Sequence, residues 1–340
     1  MPSYDRRGLA ACGALLFFGL VSALAIQASV VDGRLPYNTT TANLIVELVK
    51  FASMLLMHRR RPSNSFAAGF RFSMRGSLPY SVPALMFAVQ NQLVFHAVAI
   101  LQPAFFQLAS KLKFVSTAVL ARIVMKKQLT TVQWIGIVLL MLALVVSKSQ
   151  LLLAQSCQRE SASPLQAEEA LVSRGRLMFG MILVTCTSTI SGASGIANEF
   201  LLKRHDEGVS LFAKNAQLYF WGALFNGVGM VLEMFSKGQY DPFRGFNYWA
   251  CLIILLRAVE GVSISFIMMY MDNIVKCFVS AGLVYTTALS SYCLFDEAID
   301  GLFMLGLTIA SLALVLYFGS FNDVLSEHAK NVGKDKFADE

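Results

Sequence analysis

The sequence predicts an all-α polytopic membrane protein whose ten transmembrane helices form two inverted five-helix repeats. Three observations carry this reading. The chain is 56% hydrophobic and only 14% charged, where soluble domains carry about 25% charged residues. It contains ten apolar stretches near the roughly 20 residues that cross hydrocarbon. It also matches itself when shifted by 170 residues, half its length of 340. The expected domains are a first repeat over 1–150, a long polar loop over 151–175, a second repeat over 176–320 and a tail over 321–340.

Taken in order, the first span covers about 9–30, behind Arg6 and Arg7. Its apolar run exceeds a signal-peptide core of about 7–15 residues. It is therefore read as an uncleaved helix, although Ala23-Leu24-Ala25 resembles a cleavage site. The second span, about 40–57, contains Glu47 and Lys50, three apart and able to neutralise each other. Just before it, Asn38-Thr39-Thr40 has the pattern of a glycosylation sequon, set close to the membrane. After a basic linker, the third span covers about 78–101 and includes Gln90, Asn91, Gln92 and His96. The fourth is 103–127, the fifth about 131–150. The later spans are about 177–201, 211–235, 247–270, 273–295 and 301–320.

Charge in the loops sets topology. With the N-terminus in the cytosol, eleven Lys and Arg fall on the cytosolic side and seven on the other, as the positive-inside rule requires. Both termini are then cytosolic. The net charge of +7 is spent largely in these loops, so no nucleic-acid partner is expected. The six cysteines form no CxxC pair, and the four histidines form no HExxH. No metal site or cofactor is expected.

In the half-length match, Ser116-Thr117-Ala118 falls on Thr286-Thr287-Ala288, Gly136 on Gly306, and Leu142-Ala143-Leu144-Val145 on Leu312-Ala313-Leu314-Val315. Lys126-Lys127 falls on Asp296-Glu297. Five spans per half is odd, so the halves insert with opposite orientation. The same loop is then basic and cytosolic in one half, acidic and luminal in the other. Inverted repeats of this kind build transporters whose substrate site lies near the midplane, between the halves.

The fourth span is unusual in carrying Lys111 and Lys113 near its middle. A lysine at mid-depth costs about 2.5–3.5 kcal/mol on insertion scales, so one kept there faces a cavity, a partner or a ligand. In a regular helix the two point about 200° apart. They cannot both face one narrow cavity, and the one that turns away would face another helix, with Glu47 and Glu260 as candidate partners. The alternative is a helix broken near Ala109-Ser110, which would let both lysines reach a ligand.

Several motifs, in order over roughly 40–320, resemble the nucleotide-sugar transporters, above all the branch for CMP-sialic acid, UDP-galactose and UDP-N-acetylglucosamine. They are residues 83–92 (PALMFAVQNQ), the stretch from Gln107 through Lys113 to Thr117-Ala118, residues 129–134 (LTTVQW), residues 215–219 (NAQLY) and residues 272–276 (DNIVK). The resemblance implies ten helices of the drug/metabolite-transporter fold in Golgi or ER membranes. It implies exchange of a cytosolic nucleotide sugar for luminal nucleoside monophosphate, with membrane lipid as surroundings and room for a homodimer.

Lys113 and Lys276 match the family's two phosphate-binding lysines, so the resemblance gives Lys113 the cavity and leaves Lys111 to face another helix. A compact ammonium on a flexible stem suits a mobile phosphate, although Lys276 is also near enough to a helix end to snorkel to headgroups. Asn215 and Tyr219, four apart on one helix face, match the nucleoside pocket, as do Gln90 and Asn91. Asn215 and Tyr219 could equally serve helix–helix hydrogen bonding. Glu47, Lys50 and Asn273 complete the expected binding set, although Asp272-Asn273 also reads as a helix cap. Phe106 and Ser110 stand where the branch has tyrosines, and Lys111 where it has glutamine. Met269 replaces a lysine, and Trp221 a small residue. These departures fall around the phosphate pair, at the positions that would read base and sugar. Two rival readings are an integral-membrane transferase, with Asp296, Glu297 and Asp300 as the only acidic cluster, and a non-transporting scaffold. The mid-depth lysines argue against the scaffold.

Overall fold

The structure is a computed structural model that describes residues 6–30, 35–59, 74–100, 106, 109–147, 167–204, 209–238, 240–295 and 300–338. The described residues form ten helices. These are α1 (Arg6–Ser29), α2 (Thr39–Arg59), α3 (Met74–Ile100), α4 (Leu112–Val124), α5 (Thr131–Val146), α6 (Ala167–Arg204), α7 (Leu211–Lys237), α8 (Tyr248–Tyr270), α9 (Asn273–Phe295) and α10 (Gly301–Ala338). Among the described residues, seven stretches are long and apolar enough to cross a membrane, and α5 is a shorter apolar helix of 16 residues. Large apolar side chains on these helices point outward, as with Ile123, Leu232 and Val315, each more than 60% exposed. That exposure suits lipid as the surrounding solvent.

Local chemistry fixes where the helices begin. Asn38 Oδ1 accepts from the Thr40 and Thr41 amides at 2.9 and 3.2 Å. The sequon asparagine thus caps α2. Thr130 Oγ1 accepts from the Gln133 amide at 3.3 Å, while Gln133 Oε1 accepts from the Thr130 amide at 3.0 Å. Part of the LTTVQW motif is therefore a capping box that starts α5. Ser210 caps α7, Asn247 caps α8, and Asp300 caps α10. Gly238 ends α7 in the left-handed conformation, at φ +60°.

Two boundaries differ from expectation. Helix α6 reaches back to Ala167, ten residues before the expected start at 177, so only part of the expected polar loop precedes it. Helix α10 continues to Ala338, through the expected tail. The acidic positions Asp296 and Glu297 lie outside the described residues.

The chain forms two compact units. The first comprises residues 1–6, 96–189 and 297–340, and so contains α4, α5, α10 and the first part of α6. Here α5 packs antiparallel on α10. A Cβ on Gly136 would stand 3.1 Å from the Ala313 carbonyl, and one on Gly306 would stand 2.6 Å from the Ala143 carbonyl. The glycines let the two backbones approach closely. The second unit comprises residues 7–95 and 190–296, with α2 packed on α7 and α8. At its heart Met54, Tyr80, Ala84, Leu201, Ala216, Leu218 and Tyr219 form one buried cluster.

Candidate functional site

In the first unit, the fourth span is not one regular helix. Ser110 and Lys111 form a turn, and α4 starts at Leu112. The Ser110 amide donates to the Phe106 carbonyl at 2.9 Å, as in an α-helix. The next bonds shorten to three residues, from the Lys113 amide to Ser110 and from the Phe114 amide to Lys111. The bond ladder thus tightens to a 3₁₀ pattern at the two lysines. The 200° separation expected of Lys111 and Lys113 required regularity, and the turn removes that requirement. Lys113 is half-buried, its Nζ 5.6 Å from the centre of the Phe114 ring. Phe106 packs with Ala97, Ala109, Leu183 and Val184. Ser110 is half-buried in the turn.

Of the two carboxylates expected to pair with Lys111, Glu260 is half-buried on α8 with Arg257 close by. Glu47 Oε1 binds Lys50 Nζ at 2.5 Å, as the i,i+3 spacing allows.

In the second unit, that Glu47–Lys50 pair is the centre of a buried constellation. Lys50 Nζ also sits 4.4 Å from the centre of the Tyr219 ring, a cation–π arrangement. The Tyr219 hydroxyl shares a 2.7 Å hydrogen bond with Ser265 and donates to the Gly261 carbonyl at 3.3 Å. Two glycines make room. A Cβ at Gly222 would meet Glu47 Oε2 at 2.9 Å, and one at Gly261 would meet Lys50 Cδ at 2.7 Å. Three helices, α2, α7 and α8, thus hold one cation, one anion and one aromatic hydroxyl.

Asn215 lies one turn before Tyr219 and is fully buried, at 0% exposure. Both atoms of its side-chain amide lack a hydrogen-bond partner among the described residues. The same holds for the side-chain amide of Asn273, also 0% exposed, and for Gln90 Oε1. Leaving such a group unpaired costs about 1–3 kcal/mol. Asn91, next along α3, is exposed.

Asn273 and Lys276 occupy the first turn of α9. Asp272 Oδ1 accepts from the Val275 amide at 2.8 Å, so the cap reading of that residue holds. The junction is then bolted to α6 by residues that sequence reasoning did not single out. Buried Glu199 accepts from the Asn273 amide at 2.9 Å through Oε2, and from Lys203 Nζ at 2.7 Å through Oε1. Lys203 also donates to the Met271 carbonyl. Lys214, buried at the start of α7, donates to the Leu202 carbonyl at 3.0 Å, near the negative end of α6. Asn198 Nδ2 reaches Met268 Sδ at 3.2 Å while its Oδ1 lacks a partner among the described residues.

Two departures from the family pattern turn out to be packing residues. Trp221 Nε1 donates to the Ser77 carbonyl at 3.0 Å, and its ring stacks on Phe225. Met269 packs against the cluster of Leu202, Leu211 and Met268.

The family model described as nucleotide-sugar transporter matches residues 11–318 of this chain. The chain belongs to the nucleotide-sugar transporter family. Among its curated relatives is the "Probable UDP-sugar transporter protein SLC35A4" of Xenopus tropicalis, 28% identical over 292 residues, 85% of each chain. The CMP-sialic acid transporter 4 of Arabidopsis thaliana is 28% identical over 322 residues, 93% of this chain and 85% of its own. The CMP-sialic acid transporter 2 of Oryza sativa subsp. indica is 28% identical over 84% of this chain and 76% of its own. A solved crystal structure aligns with a TM-score of 0.63 over 91% of this chain and 95% of its own, at 10% identity, which speaks to fold alone. The chain is a multi-pass membrane protein, in keeping with its family and with its seven helices long and apolar enough to cross a membrane among the described residues.

Of the expected ligands, the nucleotide-sugar transporter fold brings Glu47, Lys50 and Tyr219 into one cluster, and Asn273 and Lys276 into one helix turn. Lys113, Lys111, Ser110 and Phe106 belong to the first unit, the others to the second.

Proposed function

We propose that this protein exchanges a cytosolic UDP- or CMP-linked sugar for luminal nucleoside monophosphate across the Golgi or ER membrane, by alternating access and without itself acting as an enzyme. Both termini face the cytosol in this reading. Lys113 and Lys276 hold the phosphates, with Lys111 as a further cation. Asn215, Tyr219, Gln90, Asn91 and Asn273 meet base and sugar, and Glu47 with Lys50, Phe106 and Ser110 shape the pocket. The observation that carries the reading is the set of unmet amides. Gln90, Asn215 and Asn273 were each expected to bind ligand on sequence grounds, and each has a buried polar atom that no described protein group meets. A nucleotide sugar is polar along its whole length and offers donors and acceptors to such groups. The relatives named as UDP-sugar and CMP-sialic acid transporters make both nucleobases candidates.

The test is exchange in liposomes. Vesicles preloaded with CMP, UMP, GMP or AMP are offered labelled CMP-sialic acid, UDP-galactose or UDP-N-acetylglucosamine. Uptake with one preloaded nucleotide and not in empty vesicles is expected. Uptake independent of preloading would refute exchange, and turnover of the donor by purified protein would favour a transferase.

A further inference from the structure

One cavity in the second unit plays no part in the site above. It lies along α1, α2 and α8 and encloses about 520 Å³. Ala10 and Ala14 line it from α1, Val49 and Ser53 from α2. On α8 its lining runs from Leu255 to Phe266. Met57 and Leu255 are 44% and 57% exposed, so the cavity is a groove that opens outward. Among the described lining residues Arg7 alone is charged. Arg7 is exposed, and its guanidinium stands 5.9 Å from the centre of the Tyr270 ring.

The dimensions select an occupant. Eleven residue steps along α8 span about 16 Å at 1.5 Å each. One leaflet of hydrocarbon is about 15 Å deep, half of the roughly 30 Å core. The lining along that length is mostly apolar, as an acyl chain requires. The cation at one end suits the phosphate of a headgroup, because a guanidinium matches phosphate geometry.

We propose that this groove binds one anionic phospholipid, its acyl chain along α1 and α8 and its phosphate on Arg7. In the orientation proposed above, Arg7 faces the cytosolic leaflet, where anionic lipids concentrate. The binding itself does not depend on transport.

The experiment measures melting of the full-length protein in detergent with added phosphatidylserine or phosphatidylcholine of identical chains. Phosphatidylserine should raise the melting temperature by several degrees more than phosphatidylcholine. Arg7→Gln should abolish that difference while Arg7→Lys keeps it. Ala14→Phe, which fills the groove, should reduce the shift from both lipids. The exchange variant Lys113→Ala should respond like the parent, which separates this proposal from the transport reading. Equal shifts from the two lipids in the parent would overturn it, as would an undiminished preference in Arg7→Gln or an equal shift from inorganic phosphate. Conversion of a dimer to monomer by Ala14→Phe, with no change in the lipid response, would assign the groove to a second copy and overturn it as well.

Discussion

Lys50 is 8% exposed within a helix of membrane-spanning length, and three neighbours offset the cost of keeping it there. Glu47 supplies the counter-charge, Tyr219 the aromatic face, and Gly261 the space. Removing Glu47 alone would leave a buried cation unpaired, a loss of about 3–5 kcal/mol. The lysines assigned to phosphate should respond differently. Lys113→Ala and Lys276→Ala are each expected to keep expression and melting while exchange affinity falls roughly 10- to 150-fold, from a charged contact worth about 1.5–3 kcal/mol. Wild-type exchange in either variant would remove the assignment. For Lys111 the turn at Ser110–Lys111 shifts the expectation from a structural pair to a substrate contact. Lys111→Gln should then melt like the parent and bind the nucleotide sugar roughly tenfold more weakly, about 1.4 kcal/mol. A destabilised protein with unchanged affinity would return Lys111 to a structural role. Much of this was legible in the sequence: the i,i+3 spacing of Glu47 and Lys50 announced their pair, and Asn215 and Tyr219 announced a shared face. Gly222 and Gly261 were not legible, since what a glycine makes room for depends on a side chain from another helix.

At the scale of elements, the junction between α8 and α9 sets where Lys276 can be. Glu199 from α6 serves at once as counter-ion to Lys203 and as acceptor for the first amide of α9. Glu199→Ala should lower the melting temperature, losing an end contact worth about 0.5–2 kcal/mol together with a mostly buried ion pair. It should also weaken exchange by loosening the turn that carries Lys276. Glu199→Gln, which can still accept from the amide, is expected to fall between. Thermal melting and liposome exchange measured on the same preparations check this, and a variant that melts early yet exchanges normally would uncouple the junction from Lys276. The sequence placed the helices well because crossing hydrocarbon demands a coarse, long apolar signal. It hid this junction because Lys203 sits near the end of its span, where a basic residue reads as topology rather than as a contact. The turn before α4 was legible only as an alternative, a break near Ala109-Ser110, because no proline or glycine marks it; the shortened hydrogen bonds decide for it.

At the scale of the whole molecule, exchange is expected to run on nucleotide gradients alone. Two carboxylates within the spans are held in ion pairs, Glu47 with Lys50 and Glu199 with Lys203. A pH or sodium gradient imposed across unloaded proteoliposomes should therefore drive no uphill uptake, and accumulation under either gradient would show a coupling ion. In the first unit, one helix contact joins positions that are about half a chain length apart. Gly136 meets the Ala313 carbonyl and Gly306 meets the Ala143 carbonyl, and each residue of one contact lies 170 positions from its equivalent in the other. The contact is therefore self-complementary: one surface pressed against its own kind, turned end for end. Two separate, identical polypeptides associate through such a surface by two-fold symmetry. Helices α5 and α10 thus meet within one chain as two copies of one helix would meet across a two-fold axis.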